Sequence, residues 1–239
     1  MAGRCALLVG TDFFQEEALS RLLAPEEDVL ALREALLAPD VGAFDEAKLL
    51  FNSDLVAVQR AVHLLAEGRG PDDLILFYYS GHGLRDARGR LHLALHGSSA
   101  RRPAIGSLAA DYVLACLNES GARRQVVLLD CCHSGAFMPG AKAASGAPAI
   151  TDETFDPHGY GRYVMAACAA TEFAFEDGRL REGDPRARPR SVFTQALVEG
   201  LRAPEAVSPA SGAVTVESLY GYVRRRVRRG RLHEDVADV

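Results

Sequence analysis

Short apolar runs alternate along this chain with segments whose apolar positions recur every three or four residues. Residues 5–9 (CALLV) stop at Gly10 and read as a buried strand. Val29, Leu32 and Leu36 then share one face, which predicts a helix over 26–38 with acids in its first turn. A second short strand is expected at 48–51. Asn52-Ser53-Asp54 follows as a cap, and Leu55, Val58, Val62 and Leu65 form a helical stripe. Residues 73–79 (DLILFYY) and 125–129 (QVVLL) are almost continuously apolar, the mark of strands covered on both faces. A hairpin-like piece is expected around 91–95 and a third helix over 107–118. A strand is expected at 162–169, and closing helices at 193–201 and 216–227, the last capped by Thr215. Residues 135–161, rich in Gly, Ala, Pro and Ser, read as a long mobile loop, and the Arg-rich stretch 177–190 as a second one.

This order of elements predicts an α/β fold: a mainly parallel central sheet of about six strands with helices on both faces. Residues 1–230 read as one domain, and 231–239 as a tail from which a further domain would continue. In such sheets ligands bind at the carboxyl ends of the strands. Two of the strongest strands end in polar tetrads, Ser80-Gly81-His82-Gly83 and Asp130-Cys131-Cys132-His133.

Composition narrows the function classes. The chain has 239 residues, 48% of them hydrophobic, and a formal net charge of −5, which disfavours nucleic acid as a partner of the fold as a whole. The run from Arg224 to Arg231 reads as a solvated helix face. Apolar stretches are too short for a signal peptide or a membrane span, so no membrane association is expected. The five cysteines are odd in number and form no CxxC pair, which suits a reducing, cytoplasmic setting.

A thiol nucleophile needs a base within reach and donors for the developing oxyanion. The two tetrads supply a cysteine, a histidine and small neighbours. Side chains at i and i+2 share a face. If extended geometry persists past the strand ends, Asp130 goes with Cys132 and Ser80 with His82, while Cys131 points into the sheet packing. Cys132 is therefore the expected nucleophile and His82 its base, with His133 shaping the turn. A metal site is disfavoured, because the adjacent Cys131, Cys132 and His133 cannot easily converge with His82 on one tetrahedral centre.

FYYSGHG, followed by LLDCCHSG with fifty positions between His82 and Cys132, resembles the caspase-like clan of cysteine peptidases. The motifs resemble most closely the metacaspases and bacterial caspase-like proteins. CALLVG resembles that family's first strand, EEDVLALREAL its first helix, and YVMAACAATEFAFE with SVFTQAL its closing segments, so the likeness runs over residues 4–228. The resemblance implies a caspase-hemoglobinase-like sandwich and a Cys132–His82 dyad. It also implies an oxyanion hole of the Gly83 and Cys132 backbone N–H groups and no metal or organic cofactor. Calcium, required by some metacaspases, stays open because its acid cluster does not map onto this chain.

The chain departs from the QACRG motif of caspases and has Asp130 two residues before Cys132. The resemblance to metacaspases implies an S1 pocket of Asp28, Ser80 and Asp130, and the physics agrees, since paired carboxylates favour Arg or Lys and repel an acidic side chain. The expected function is an endopeptidase cutting protein or peptide substrates after Arg or Lys, with self-processing near Lys142 or in 177–190. Alternatives are a catalytically silent interaction module and an Asp-specific caspase-type peptidase. A regulatory domain or partner protein is the further partner expected.

Overall fold

The computed structural model describes residues 2–131, 149–156, 160–167 and 189–234. The apolar runs become a six-stranded sheet in the order β2-β1-β3-β7-β9-β8. Its strands are β1 (Arg4–Gly10), β2 (Glu46–Phe51), β3 (Leu74–Ser80), β7 (Arg124–Asp130), β8 (Ala149–Asp156) and β9 (Tyr160–Ala166). Five run parallel, and β8 pairs antiparallel with β9 at one edge. A separate antiparallel sheet joins β4 (Gly83–Arg85), β5 (Leu91–Leu93) and β6 (Leu108–Ala109).

Strand alternation sorts the core into two layers. Ile75, Phe77, Tyr79, Val127, Leu129 and Cys131 pack with α2 (Leu55–Ala66) and α3 (Ala110–Glu119) on one face. Leu76, Tyr78, Val126 and Leu128 face the other way, against α1 (Pro25–Leu37), α4 (Val192–Arg202) and α5 (Val216–Glu234). Parallel strands need this double cover, which is why they read as unbroken apolar runs. The helices start where capping chemistry stands. Asp54 accepts from the Ala57 N–H at 2.8 Å, Ser191 from Thr194 at 3.0 Å and Thr215 from Ser218 at 3.1 Å.

Several expectations need correction. The stretch 135–161 is not loop throughout, because 149–156 form β8 within it. The β-branched and aromatic residues Ile150, Thr151, Thr154 and Phe155 fit an edge strand, and the flanking Gly and Ala hid them. Residues 135–148 and most of 177–190 lie outside the described residues, as does the end of the strand expected at 162–169. Leu108–Ala109 pair with β5, so the third helix starts at Ala110. Helix α5 runs on to Glu234, past the expected end at 227 and into the expected tail, because its arginines are good helix formers and its two interior glycines, Gly221 and Gly230, do not end it.

Candidate active site

The parallel register brings three strand ends level: Gly10 of β1 is opposite Ser80 of β3, and Ser80 is opposite Asp130 of β7. Beyond that line the backbones stay tied. Thr11 N–H donates to the Ser80 carbonyl at 3.0 Å, and Gly81 N–H to the Asp130 carbonyl at 3.2 Å. Gly81 has φ 157°, and a Cβ there would strike the Tyr79 hydroxyl, so the first glycine of the SGHG tetrad is a steric necessity. The buried Tyr79 hydroxyl hydrogen lies between the carbonyl oxygens of Ala94, at 2.6 Å, and His82, at 2.9 Å. That bond ties the residue after the bend to the small sheet.

Strand pairing stops at Ser80 and the chain bends at Gly81, so alternation does not set His82. Its place comes from the segment after β1. His82 Nε2 lies 2.9 Å from the Ser20 carbonyl oxygen, and the Phe14 ring tilts against the imidazole at a centroid distance of 5.0 Å. A carbonyl only accepts, so Nε2 carries the hydrogen and Nδ1 keeps its lone pair. Burial pushes the His82 pKa below the usual histidine value, partly offset by the Ser20 carbonyl. The imidazole is thus held with its Nε2–H on the Ser20 carbonyl, and burial favours its neutral form.

Asp28, Ser80 and Asp130 come together on the α1–α4 side of the sheet. Asp28 is fully buried in the first turn of α1, although no helix-dipole role requires it inside. It accepts from Ser80 Oγ at 3.0 Å and from the Ser191 N–H at 2.9 Å. Asp130 Oδ2 accepts from the hydroxyls of Ser191 and Thr194, the latter at 2.6 Å. Tyr78 Oη lies 2.6 Å from Thr194 Oγ1 and, with its pKa pushed well up by burial and by the two acids, stays protonated and donates. Among the described residues no cationic side chain pairs with either carboxylate. Burial raises both carboxyl pKa values, that of Asp28 well above the ordinary range, and the charge of Asp130 adds to it. The pair therefore resists full ionisation until a cation joins it.

Ser191 and Thr194 are the residues that sequence reasoning missed. Ser191 caps α4, where its side chain accepts from the Thr194 N–H. Its second task, bridging Asp28 and Asp130 across 163 and 61 positions of sequence, has no local signal.

Gly83 opens β4 opposite Leu93. Cys131 is buried in the α2–α3 layer, on the sheet face away from the acid pair. Cys132 and His133 lie outside the described residues, and so does Lys142. Among the described residues no group of three or more His, Cys, Asp or Glu is placed to hold a metal ion, and no helix is long and apolar enough to cross a membrane.

A family model described as the caspase domain, Peptidase_C14, matches residues 3–236. The chain belongs to the caspase-domain family. Two solved caspase structures share the fold of this caspase-domain protein. Caspase-1 from Spodoptera frugiperda superposes with a TM-score of 0.59 at 14% identity, over 94% of this chain and 76% of that one. The pro-form of that caspase gives 0.56 at 15% identity, over 95% of this chain and 78% of that one. A Geobacter sulfurreducens protein is 24% identical over 54% of this chain, with a TM-score of 0.42, and the match spans 50% of that protein. No curated protein matches the chain. The caspase domain makes the chain a peptidase-type member of the cysteine hydrolases by family, built on the mainly parallel sheet expected from its sequence.

Proposed function

We propose that this caspase-domain protein is a cysteine endopeptidase of metacaspase type that cleaves after Arg, and after Lys less well. The observation that carries the reading is the buried Asp28–Asp130 pair. One acid from the first turn of α1 and one from the end of β7 meet around Ser80, two residues before His82, supplied with Ser80, Ser191 and Thr194 hydroxyls but, among the described residues, with no cation. Burying two acids without a counter-charge costs stability, which is reasonable where a ligand brings the charge. A guanidinium supplies five N–H donors in a planar fork and stays charged, so it suits two facing carboxylates better than an ammonium does. An aspartate side chain in this pocket would meet acids and, among the described residues, no cation, which disfavours caspase-type specificity.

In the proposed reaction the Cys132 thiol gives its proton to His82 Nδ1, and the sulfur attacks the carbonyl carbon after the bound Arg. The N–H groups of Gly83 and Cys132 receive the oxyanion. His82 returns the proton to the leaving amine as the C–N bond breaks, leaving a thioester on Cys132. Water then loses a proton to His82, attacks the thioester and releases the acid and the thiol. Each step uses the chain's own side-chain and backbone groups with water, and calls for no cofactor. A reducing, cytoplasmic setting keeps such a thiol competent.

Peptides that differ only in P1, carrying Arg, Lys, Gln or Asp, test the reading with Cys132→Ala as control. Arg is expected to exceed Gln by about 10²-fold or more in kcat/KM, since each charge-assisted bond contributes roughly 1.5–3 kcal/mol. No cleavage of any of the four by folded protein contradicts a peptidase, and Asp as the best P1 contradicts the acid-pair pocket.

A further inference from the structure

The segment between β1 and α1 holds the Ser20 carbonyl on His82, yet residues 11–24 form no helix or strand. A loop of this length normally leaves a carbonyl direction loose. Here a polar clamp closes both ends of it. Asn52, just after β2, donates its own N–H to the Gly10 carbonyl at 2.9 Å. Its side-chain oxygen accepts from Asp12 N–H at 3.0 Å and Phe13 N–H at 3.2 Å, and its Nδ2 donates to Asp12 Oδ1 at 2.7 Å. Asp12 then reaches the far end of the loop, because its carbonyl accepts from Leu22 N–H at 2.9 Å. Its second carboxylate oxygen meets Arg21 at 3.3 Å, one residue from Ser20. Phe14, Leu19 and Leu22 fold inward onto Ala94, two residues beyond His92 and bonded by its N–H to the His82 carbonyl at 2.9 Å.

Two features set this clamp apart from ordinary loop packing. Asp12 is only 4% exposed, an expensive place for a carboxylate whose cationic neighbour is largely in solvent. Asn52 has φ 49°, a left-handed conformation that glycine reaches at least cost. An asparagine there supplies what glycine lacks, a side chain that binds three groups of Asp12 and Phe13.

We propose that Asp12 and Asn52 are positioning residues for His82, acting through the Ser20 carbonyl to hold the imidazole as its Nε2–H tautomer and so leave Nδ1 as the proton acceptor. The proposal rests on His82 as the base. Neither residue touches substrate, and the acid pair of the S1 pocket is untouched by their loss. Loosening the loop frees the ring to rotate and to exchange tautomers, so the turnover step suffers and the binding of the P1 side chain does not.

The test uses Asn52→Gly, which keeps the left-handed backbone and deletes the side chain, and Asp12→Asn, which keeps the shape. The exchanged pair, Asp12→Asn with Asn52→Asp, regenerates an amide-to-carboxylate bond. For Arg peptides kcat is expected to fall about 10- to 100-fold in Asn52→Gly, with KM within about two-fold, and to recover substantially in the exchanged pair. Nitrogen-15 NMR of His82 in a Cys132→Ala background reads the tautomer without turnover. The parent shows Nε2 protonated, and Asn52→Gly is expected to show a mixture. Unchanged kcat in folded Asn52→Gly, or a His82 that stays Nε2–H, overturns the proposal. If Asn52→Gly fails to fold, Asp12→Asn is judged by the same two readings. A chain that cleaves nothing but loses the Nε2–H tautomer in these variants keeps the clamp and removes the peptidase, so the two failures are distinguishable.

Discussion

Asp130→Asn is expected to lower kcat/KM for Arg peptides by about 10²–10³-fold, because removing one partner of a buried charge pair costs several kcal/mol. Cleavage after an uncharged P1 residue should change little, since the carboxylate meets only the basic side chain. The same substitution is expected to raise Tm at pH 8 and to leave it unchanged at acid pH. Both carboxyl pKa values are raised in the fold, so the folded chain favours their protonated forms. The stability this brings is complete below the unfolded carboxyl pKa and is lost as pH climbs through the raised folded values. An asparagine escapes that loss while its side-chain oxygen still accepts from Ser191 and Thr194. For the parent, KM for Arg peptides should fall with rising pH over the same window, and KM for a Gln peptide should not. Thermal melts at two pH values and the P1 series check both halves. An undiminished Arg preference, or a Tm that drops at pH 8, contradicts the pocket assignment. A site that costs stability in the absence of its ligand is a common arrangement at functional centres.

His82→Ala should remove the base and lower kcat by about 10²–10⁴-fold. KM for Arg peptides is expected to stay within about two-fold, because P1 binding falls to Asp28, Ser80 and Asp130. Burial holds the His82 pKa below the ordinary histidine value, so the neutral base persists to mildly acid pH. The acid limb of kcat/KM for an uncharged-P1 peptide should therefore lie below that value. A limb at or above the ordinary value would place the imidazole in a wetter or more acidic setting than the Ser20 carbonyl and Phe14 provide. Full stopped-flow profiles of the parent and variant measure both effects.

How much of this was legible in the sequence follows from which contacts are local. The runs 5–9, 73–79 and 125–129 announce buried strands because parallel sheets leave no polar face, and all three lie in the central sheet. The stripe Val58, Val62, Leu65 and the cap at Asp54 likewise appear in α2. The meeting of Asp28, Ser80 and Asp130 came from a resemblance, and the register Ser80↔Asp130 gives it a physical basis. What stayed hidden depends on tertiary crossing. Strand β8 lies in a stretch whose Gly, Ala and Pro content reads as loop, and it exists by pairing with β9. Of Ser191, Thr194, Asp12 and Asn52, only Asn52 drew a reading from the sequence, as part of a cap. Their partners stand 40 to 163 positions away, a separation that no periodicity reports. Ser20 meets His82 most closely through its backbone carbonyl, at 2.9 Å against 3.5 Å for its hydroxyl, and a carbonyl carries no signal of residue type.

The dyad is the claim on which the rest depends, and an arginyl chloromethyl ketone addresses it directly. Intact-mass and peptide mapping of the treated chain should find one adduct, on Cys132, that forms far more slowly in His82→Ala and Asp130→Asn. Modification of Cys131 or another cysteine in its place, or equal labelling by an aspartyl analogue, would contradict the account.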